Sequence, residues 1–266
     1  MKKLKKLSFA LSILSILTFF TPANAELKVV TSIKPIHSLA SYLMDGIGKP
    51  ELIVDGYASP HGFSMKPSHA KMLQNADLIF WVGEDLENFL EKPLKSIAKK
   101  AEKIELIEIK GLNVLKFRER NIFDEHDHDD HDHDDHGKKE EHDDHDDHDG
   151  HEGHAHGEFD PHIWLDTMNA KAMLNEMAEH LIENDPKNEA KYKSNLDKAL
   201  KDIDKLTIEV MTELNNSVSS IVFHDAYQYF EKRFNVNVLG AFTVNTDVMP
   251  GAEQLAEIRE IIEHDK

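Results

Sequence analysis

Two hydrophobic rhythms alternate along the first part of this 266-residue chain. Leu27 to Ile33, Glu51 to Val54, Asp77 to Val82 and Lys103 to Ile109 are runs rich in apolar and β-branched residues that read as buried strands. Between them, apolar residues recur at helical spacing. Ile36, Leu39, Ala40, Leu43 and Met44 mark one helix, Lys66 to Ala76 a second, and Leu86, Phe89, Leu90, Leu94 and Ile97 a third. Strands alternating with helices predict a parallel, mostly buried sheet and an α/β fold class.

Beyond Phe159 the helical rhythm takes over. Ala170, Met173, Leu174, Met177, Ala178, Leu181 and Ile182 form a stripe that ends at Asn184-Asp185-Pro186, a cap followed by a proline suited to a first helical turn. Tyr192, Leu196, Ala199, Ile203, Leu206 and Val210 then step by four and three to about residue 215. Roughly 30 residues at 1.5 Å each would make a rod of about 45 Å, long enough to join two lobes. A second alternation follows: strand at Ser219 to Phe223, helix at Ala226 to Arg233, strand at Val236 to Phe242, helix at Ala252 to Glu263. The expected organisation is an α/β lobe over 26–185, a linking helix over 186–215 and a second α/β lobe over 216–266. Two strands bury too little to stand alone, so this second lobe is expected to be incomplete, part of a longer chain.

One segment fits neither rhythm. From Asp124 to Asp160 the chain carries 18 carboxylates, two lysines and histidines at 126, 128, 131, 133, 136, 142, 145, 148, 151, 154 and 156. With so few apolar residues and such self-repulsion it cannot form a core, so 124–157 is expected to be a disordered insertion in the first lobe. A solvated acidic spacer would explain the carboxylates but not a histidine at every second or third position. Imidazole and carboxylate together are ligands for Zn²⁺ and its neighbours.

Residues 1–25 read as a cleaved secretory signal: Lys2, Lys3, Lys5 and Lys6, the apolar Leu7 to Phe20, then Ala23-Asn24-Ala25. Loss of those four lysines takes the formal charge from −19 to −23. The chain has no cysteine, which excludes disulfides and lipid attachment through a thiol and restricts any metal site to His, Asp and Glu. An exported chain with no anchor is expected in the periplasm. Its strong acidity argues against nucleic acid as a partner.

Three histidines outside the acidic tract stand in places suited to a site. His61 follows Ser59-Pro60 after the second strand, His162 lies just beyond the tract, and His224 ends the strand that starts at Ser219. The first and third fall at carboxyl ends of predicted strands, where open α/β folds bind ligands. Any one alone reads more readily as a structural histidine; it is their agreement in position that favours a site. His37 is a weaker candidate for an auxiliary ligand. His69 and His180 read as surface residues, Trp81 and Trp164 as core, and His264 carries no signal.

The blocks Pro60-His61-Gly62-Phe63-Ser64-Met65-Lys66-Pro67-Ser68, Leu73-Gln74-Asn75-Ala76-Asp77, Trp81-Val82-Gly83, Asp160-Pro161-His162-Ile163-Trp164-Leu165 and Phe223-His224-Asp225-Ala226-Tyr227-Gln228-Tyr229-Phe230, with Thr243-Val244-Asn245 and Pro250-Gly251-Ala252 beyond, resemble the metal-binding proteins that feed ABC importers. The likeness is to the zinc-binding, periplasmic branch of this solute-binding family (cluster A-I). It implies two lobes joined by a long rigid helix, with Zn²⁺ held in the cleft by His61, His162 and His224. It also implies delivery of Zn²⁺ to an inner-membrane ABC permease with its ATPase, by a protein expected to be a monomer and not an enzyme. The tract would collect zinc or sense its abundance. Pro60 stands where many relatives carry a carboxylate, and the carboxylate that relatives supply near their C-terminus has no counterpart here, so the resemblance leaves a fourth ligand unassigned. A zinc hydrolase would also use three histidines and a water, but no HExxH is present. A simple periplasmic metal buffer would need only the tract.

Overall fold

The computed structural model describes residues 26–118, 158–214, 218–243 and 251–264. The expected signal segment, the insertion over 124–157, and Asn245 and Pro250 lie outside the described residues.

Four short parallel strands form the first sheet in the order β2-β1-β3-β4: β1 Val29–Thr31, β2 Glu51–Leu52, β3 Leu78–Trp81 and β4 Glu102–Glu105. Every residue of the inner strands β1 and β3 is buried, as expected of strands covered by helices on both faces. The covering helices are α1 (Lys34–Leu43), α2 (Pro67–Asn75) and α3 (Asn88–Ser96). Pro35 and Pro67 each sit in the first turn of a helix, where a missing N–H costs nothing. The expected strand to Ile109 stops at Glu105. Leu106 turns fully into the core there, and a 3-10 turn over Leu106–Glu108 replaces the last rungs.

Two helices then run on in sequence, α4 (Thr167–Asn184) and α5 (Glu189–Glu213). The expected helix from residue 186 starts three residues later, after a 3-10 turn over Pro186–Asn188. Asp185 causes the delay: its carboxylate accepts from the Asn188 amide at 2.7 Å and from the Tyr192 hydroxyl at 3.2 Å, while its carbonyl accepts from the Asn188 N–H. At 1.5 Å per residue, the 25 residues of α5 span about 38 Å. Its first half packs on α1 and α4 through Tyr192, Asn195 and Ala199. Asn195 donates to the carbonyls of Leu43 and Asp45, satisfying groups that the end of α1 leaves open. Further along, Leu206, Ile208 and Met211 are exposed.

A second parallel sheet pairs β5 (Ser219–His224) with β6 (Asn237–Thr243), with α6 (Gln228–Phe234) between them and α7 (Ala252–His264) after. Asn235, at φ +53°, ends α6 in the left-handed conformation that asparagine tolerates. Two side chains of α6 fasten this unit to the first. Tyr229 is wholly buried in the main core, and Arg233 grips the Asp166 carboxylate with two bonds of 2.5 and 2.8 Å. Asp166 also caps α4 by accepting from the Met168 N–H.

Beneath the carboxyl end of β3, Glu87 is fully buried and accepts from the N–H groups of Val82 (3.1 Å) and Gly83 (3.0 Å). Burial pushes its carboxyl from 4.5 up to about 7. The folded protein therefore holds this proton more tightly than the unfolded chain. The stability it contributes is complete below about pH 4.5 and is lost as pH rises through about 7. Glu87→Gln keeps an acceptor for both N–H groups and removes the titration. Denaturant titrations should show the variant gaining stability relative to the parent across that window; parallel pH profiles would contradict this assignment.

Candidate metal centre

Three segments that are distant in sequence supply the imidazoles. His61 lies in a turn of the loop between β2 and α2, its N–H donating to Ser59 Oγ at 3.3 Å. His162 immediately precedes a 3-10 turn over Ile163–Leu165 that leads into α4. His224 is the last residue of β5. Their ring centroids stand 5.5, 5.1 and 5.1 Å apart, and one ligand nitrogen from each lies within 4.8 Å of the others.

The supporting groups decide what these rings can do. Asp160 is 1% exposed and accepts from the His162 backbone N–H at 3.0 Å and from His162 Nδ1 at 2.6 Å. A carboxylate can only accept, so Nδ1 carries the proton and Nε2 keeps a free lone pair. Such an outer carboxylate is the usual means of orienting a metal-ligating imidazole and raising its basicity. Trp164 packs edge-on against the same ring at 5.4 Å.

His224 is conditioned differently. Both ring nitrogens are shielded from solvent and lack a well-aligned hydrogen bond, although the nearby Thr243 carbonyl favours the charged ring. Burial first, and then the repulsion that a charged His162 would exert, pull its value down to about 4. The ring is neutral near pH 7, the state in which imidazole ligates a metal.

Behind the rings, Tyr229 ties the assembly together. Its hydroxyl donates to the Asp160 carbonyl at 2.7 Å and accepts from the Leu115 N–H at 3.0 Å. Gln228 donates to the Lys116 carbonyl at 2.9 Å and reaches Asp160 Oδ2 at 3.4 Å. Lys116 and Phe159 pair as an antiparallel bridge. Burial raises the Asp225 carboxyl to about 6 and also raises Glu231, while Arg118 opposes both shifts.

The remaining histidines stand elsewhere. His37 is not brought to the trio: it lies in α1 and bonds the Pro50 carbonyl through Nε2 at 3.1 Å. His69, expected at the surface, is buried because its Nδ1 accepts the Lys66 N–H and caps α2. His180 is half-buried among Glu102, Glu176 and Glu183, at 2.8, 3.3 and 3.9 Å. Glu102 and Glu183 there are exposed, which is ordinary for solvated ion pairs. Asp160 and Tyr229 were present in the motif blocks without a role. Asp225 stood in a block too, again without a role; Arg118 and Glu231 lay outside every block, and their proximity arises only through the chain's fold.

A model of the family ZnuA, described as zinc-uptake complex component A, periplasmic, matches residues 29–266. The high-affinity zinc uptake system protein ZnuA of Brucella abortus (strain 2308) is 44% identical over 274 residues, spanning 100% of this chain and 80% of the relative. The protein of the same description from Yersinia pestis is 34% identical over 254 residues, spanning 94% and 77%. Among solved structures, a crystal structure of ZnuA aligns with a TM-score of 0.67 at 20% identity, over 90% of this chain and 79% of the other. The periplasmic zinc binding protein TroA from Treponema pallidum gives 0.67 at 18%, over 91% and 76%. At those identities the structural matches establish the shared fold.

Tyr229→Phe tests how the site is held. It leaves the Leu115 N–H and the Asp160 carbonyl without their buried partner and should cost about 1–3 kcal/mol in unfolding free energy. A denaturant midpoint equal to that of the parent would contradict the role given to this hydroxyl.

Proposed function

The chain belongs to the periplasmic zinc-uptake complex component A family, and on that premise we propose that it captures Zn²⁺ for an ABC importer. The ion is the cargo of the protein, held by His61, His162 and His224. The observation that carries this reading is the convergence of three imidazoles from three separate segments, with ligand nitrogens within 4.8 Å of one another. Imidazole donors suit Zn²⁺ and its transition-metal neighbours, and carboxylate-rich sets suit harder ions; the family description selects zinc.

The same geometry favours capture over hydrolysis. A catalytic zinc needs an open position and a base poised for its water. Asp160, the carboxylate beside the trio, is instead engaged with His162 Nδ1. Family membership gives the partner in outline, an inner-membrane permease with its ATPase, to which a monomeric carrier would deliver one ion. Residence in the periplasm accords with the family description, and export by a cleaved signal over 1–25 is part of the proposal. No helix among the described residues is long and apolar enough to cross a membrane. The division into a lobe over 26–185, a linking helix over 186–215 and a second lobe over 216–266 is part of the proposal, as is a collecting role for the histidine-rich stretch at 124–157.

Calorimetric titration with Zn²⁺ tests the reading, comparing the parent with a His61→Ala, His162→Ala, His224→Ala variant. One tight site in the nanomolar range, worth about −12 kcal/mol, should be present in the parent and absent in the variant, while weak sites persist in both. Identical isotherms would remove the assignment and leave the tract as the metal-binding element.

A further inference from the structure

Two buried carboxylates, Asp160 and Asp225, and a third that is largely covered, Glu231, stand near the imidazole cluster. Asp160 is committed to His162. Asp225 follows His224 directly, is 3% exposed, and has its backbone N–H fixed to the Thr243 carbonyl at 3.0 Å. Glu231 stands on the first turn of α6, its side chain 12% exposed. Both remaining carboxylates face one guanidinium. Arg118 donates through Nη2 to Glu231 Oε2 at 2.6 Å, and its Nη1 lies 3.7 Å from Asp225 Oδ1. Among the described residues no other lysine or arginine is within ion-pair distance of either. Two other cations of this region, Arg233 and Lys116, are occupied by Asp166 and Glu158.

This arrangement bears on which ion the cluster accepts. A buried carboxylate next to a bound dication is a strong candidate ligand, since water cannot compete for it. Adding oxygen donors to three imidazoles would raise the coordination number and favour harder ions such as Mn²⁺. A guanidinium is always charged and presents a rigid fork of donors, so it can occupy two carboxylates at once without ever becoming a ligand itself.

We propose that Arg118 is a selectivity-determining positioning residue: by engaging Asp225 and Glu231 it withholds their carboxylates from an ion held by His61, His162 and His224, and keeps the donor set rich in nitrogen. This rests on the zinc-capture reading above. It gives Arg118 a role distinct from packing. Loss of the guanidinium leaves Asp225, one residue from His224, as the nearest uncommitted oxygen donor, and the effect should fall on the ratio of affinities more than on zinc affinity itself.

The experiment measures Zn²⁺ and Mn²⁺ affinities by competition with a chromophoric chelator, in the parent, Arg118→Ala, Arg118→Lys and the double variant Arg118→Ala, Asp225→Asn. The triple-histidine variant supplies the background from other sites. Arg118→Ala should narrow the preference for Zn²⁺ over Mn²⁺ by about tenfold or more, the scale on which outer-shell groups tune metal affinity. The double variant should restore most of that preference. With one equivalent of Co²⁺, the visible bands should weaken in Arg118→Ala as coordination expands, and recover in the double variant. If the alanine variant fails to fold, Arg118→Lys reads the same ratio; a single ammonium cannot hold both carboxylates, so a smaller narrowing is expected. An unchanged ratio, or equal losses for both ions with an unchanged Co²⁺ spectrum, would overturn the proposal. A parent that binds no zinc through the three histidines would overturn the capture reading first, and this inference with it.

Discussion

A carboxylate taken out of water must be given donors, and Asp160 shows how much of this molecule is arranged to supply them. Its side chain receives the backbone N–H and Nδ1 of His162, and its carbonyl receives the Tyr229 hydroxyl. The first of these bonds shapes the turn, the second fixes the ring's tautomer, and the third fastens the turn to a helix from the second sheet. An isolated buried charge would cost several kcal/mol, so the loop has little freedom to adopt another arrangement. Because Tyr229 also accepts from Leu115, the chain on either side of the histidine-rich tract is registered against the same helix.

From that anchor the rest of the site follows by geometry. The Arg233–Asp166 fork links α6 to the start of α4 four residues after His162 and keeps β5, which ends in His224, in a fixed relation to His162. His61 arrives separately, on the loop between β2 and α2, which Phe63 packs against Phe89 and Lys34 ties through the Gly56 carbonyl. Two imidazoles are thus held by a shared framework and the third is brought to them. Burial keeps His224 uncharged, Asp160 holds the Nδ1 side of His162, and the nitrogen donors of the three rings face one another.

Much of this was legible in the chain. Parallel buried strands announce themselves as unbroken apolar runs, and Val29 to Thr31 and Leu78 to Trp81 are such runs. The helical stripes were equally plain, because burial against a sheet demands a period near 3.6. His61, His162 and His224 stood out by position and by the motif blocks around them. What was not legible came from long-range chemistry. The delayed start of α5 depends on Asp185 bonding Asn188 and Tyr192, and the burial of His69 depends on its capping the Lys66 N–H. His37 followed a strand as His61 did, yet the rotation of α1 turned it to the Pro50 carbonyl. Arg118, Asp225 and Glu231 meet only because α6 folds back across the segment preceding residue 119, which no local pattern encodes.

The central claim is that one ion sits among three imidazoles, and anomalous diffraction at the zinc edge tests it most directly. Crystals grown with one equivalent of Zn²⁺ should show a single dominant peak about 2.0–2.1 Å from a nitrogen of each of His61, His162 and His224. A dominant peak elsewhere, or a peak bound by only one of the three, would contradict the account.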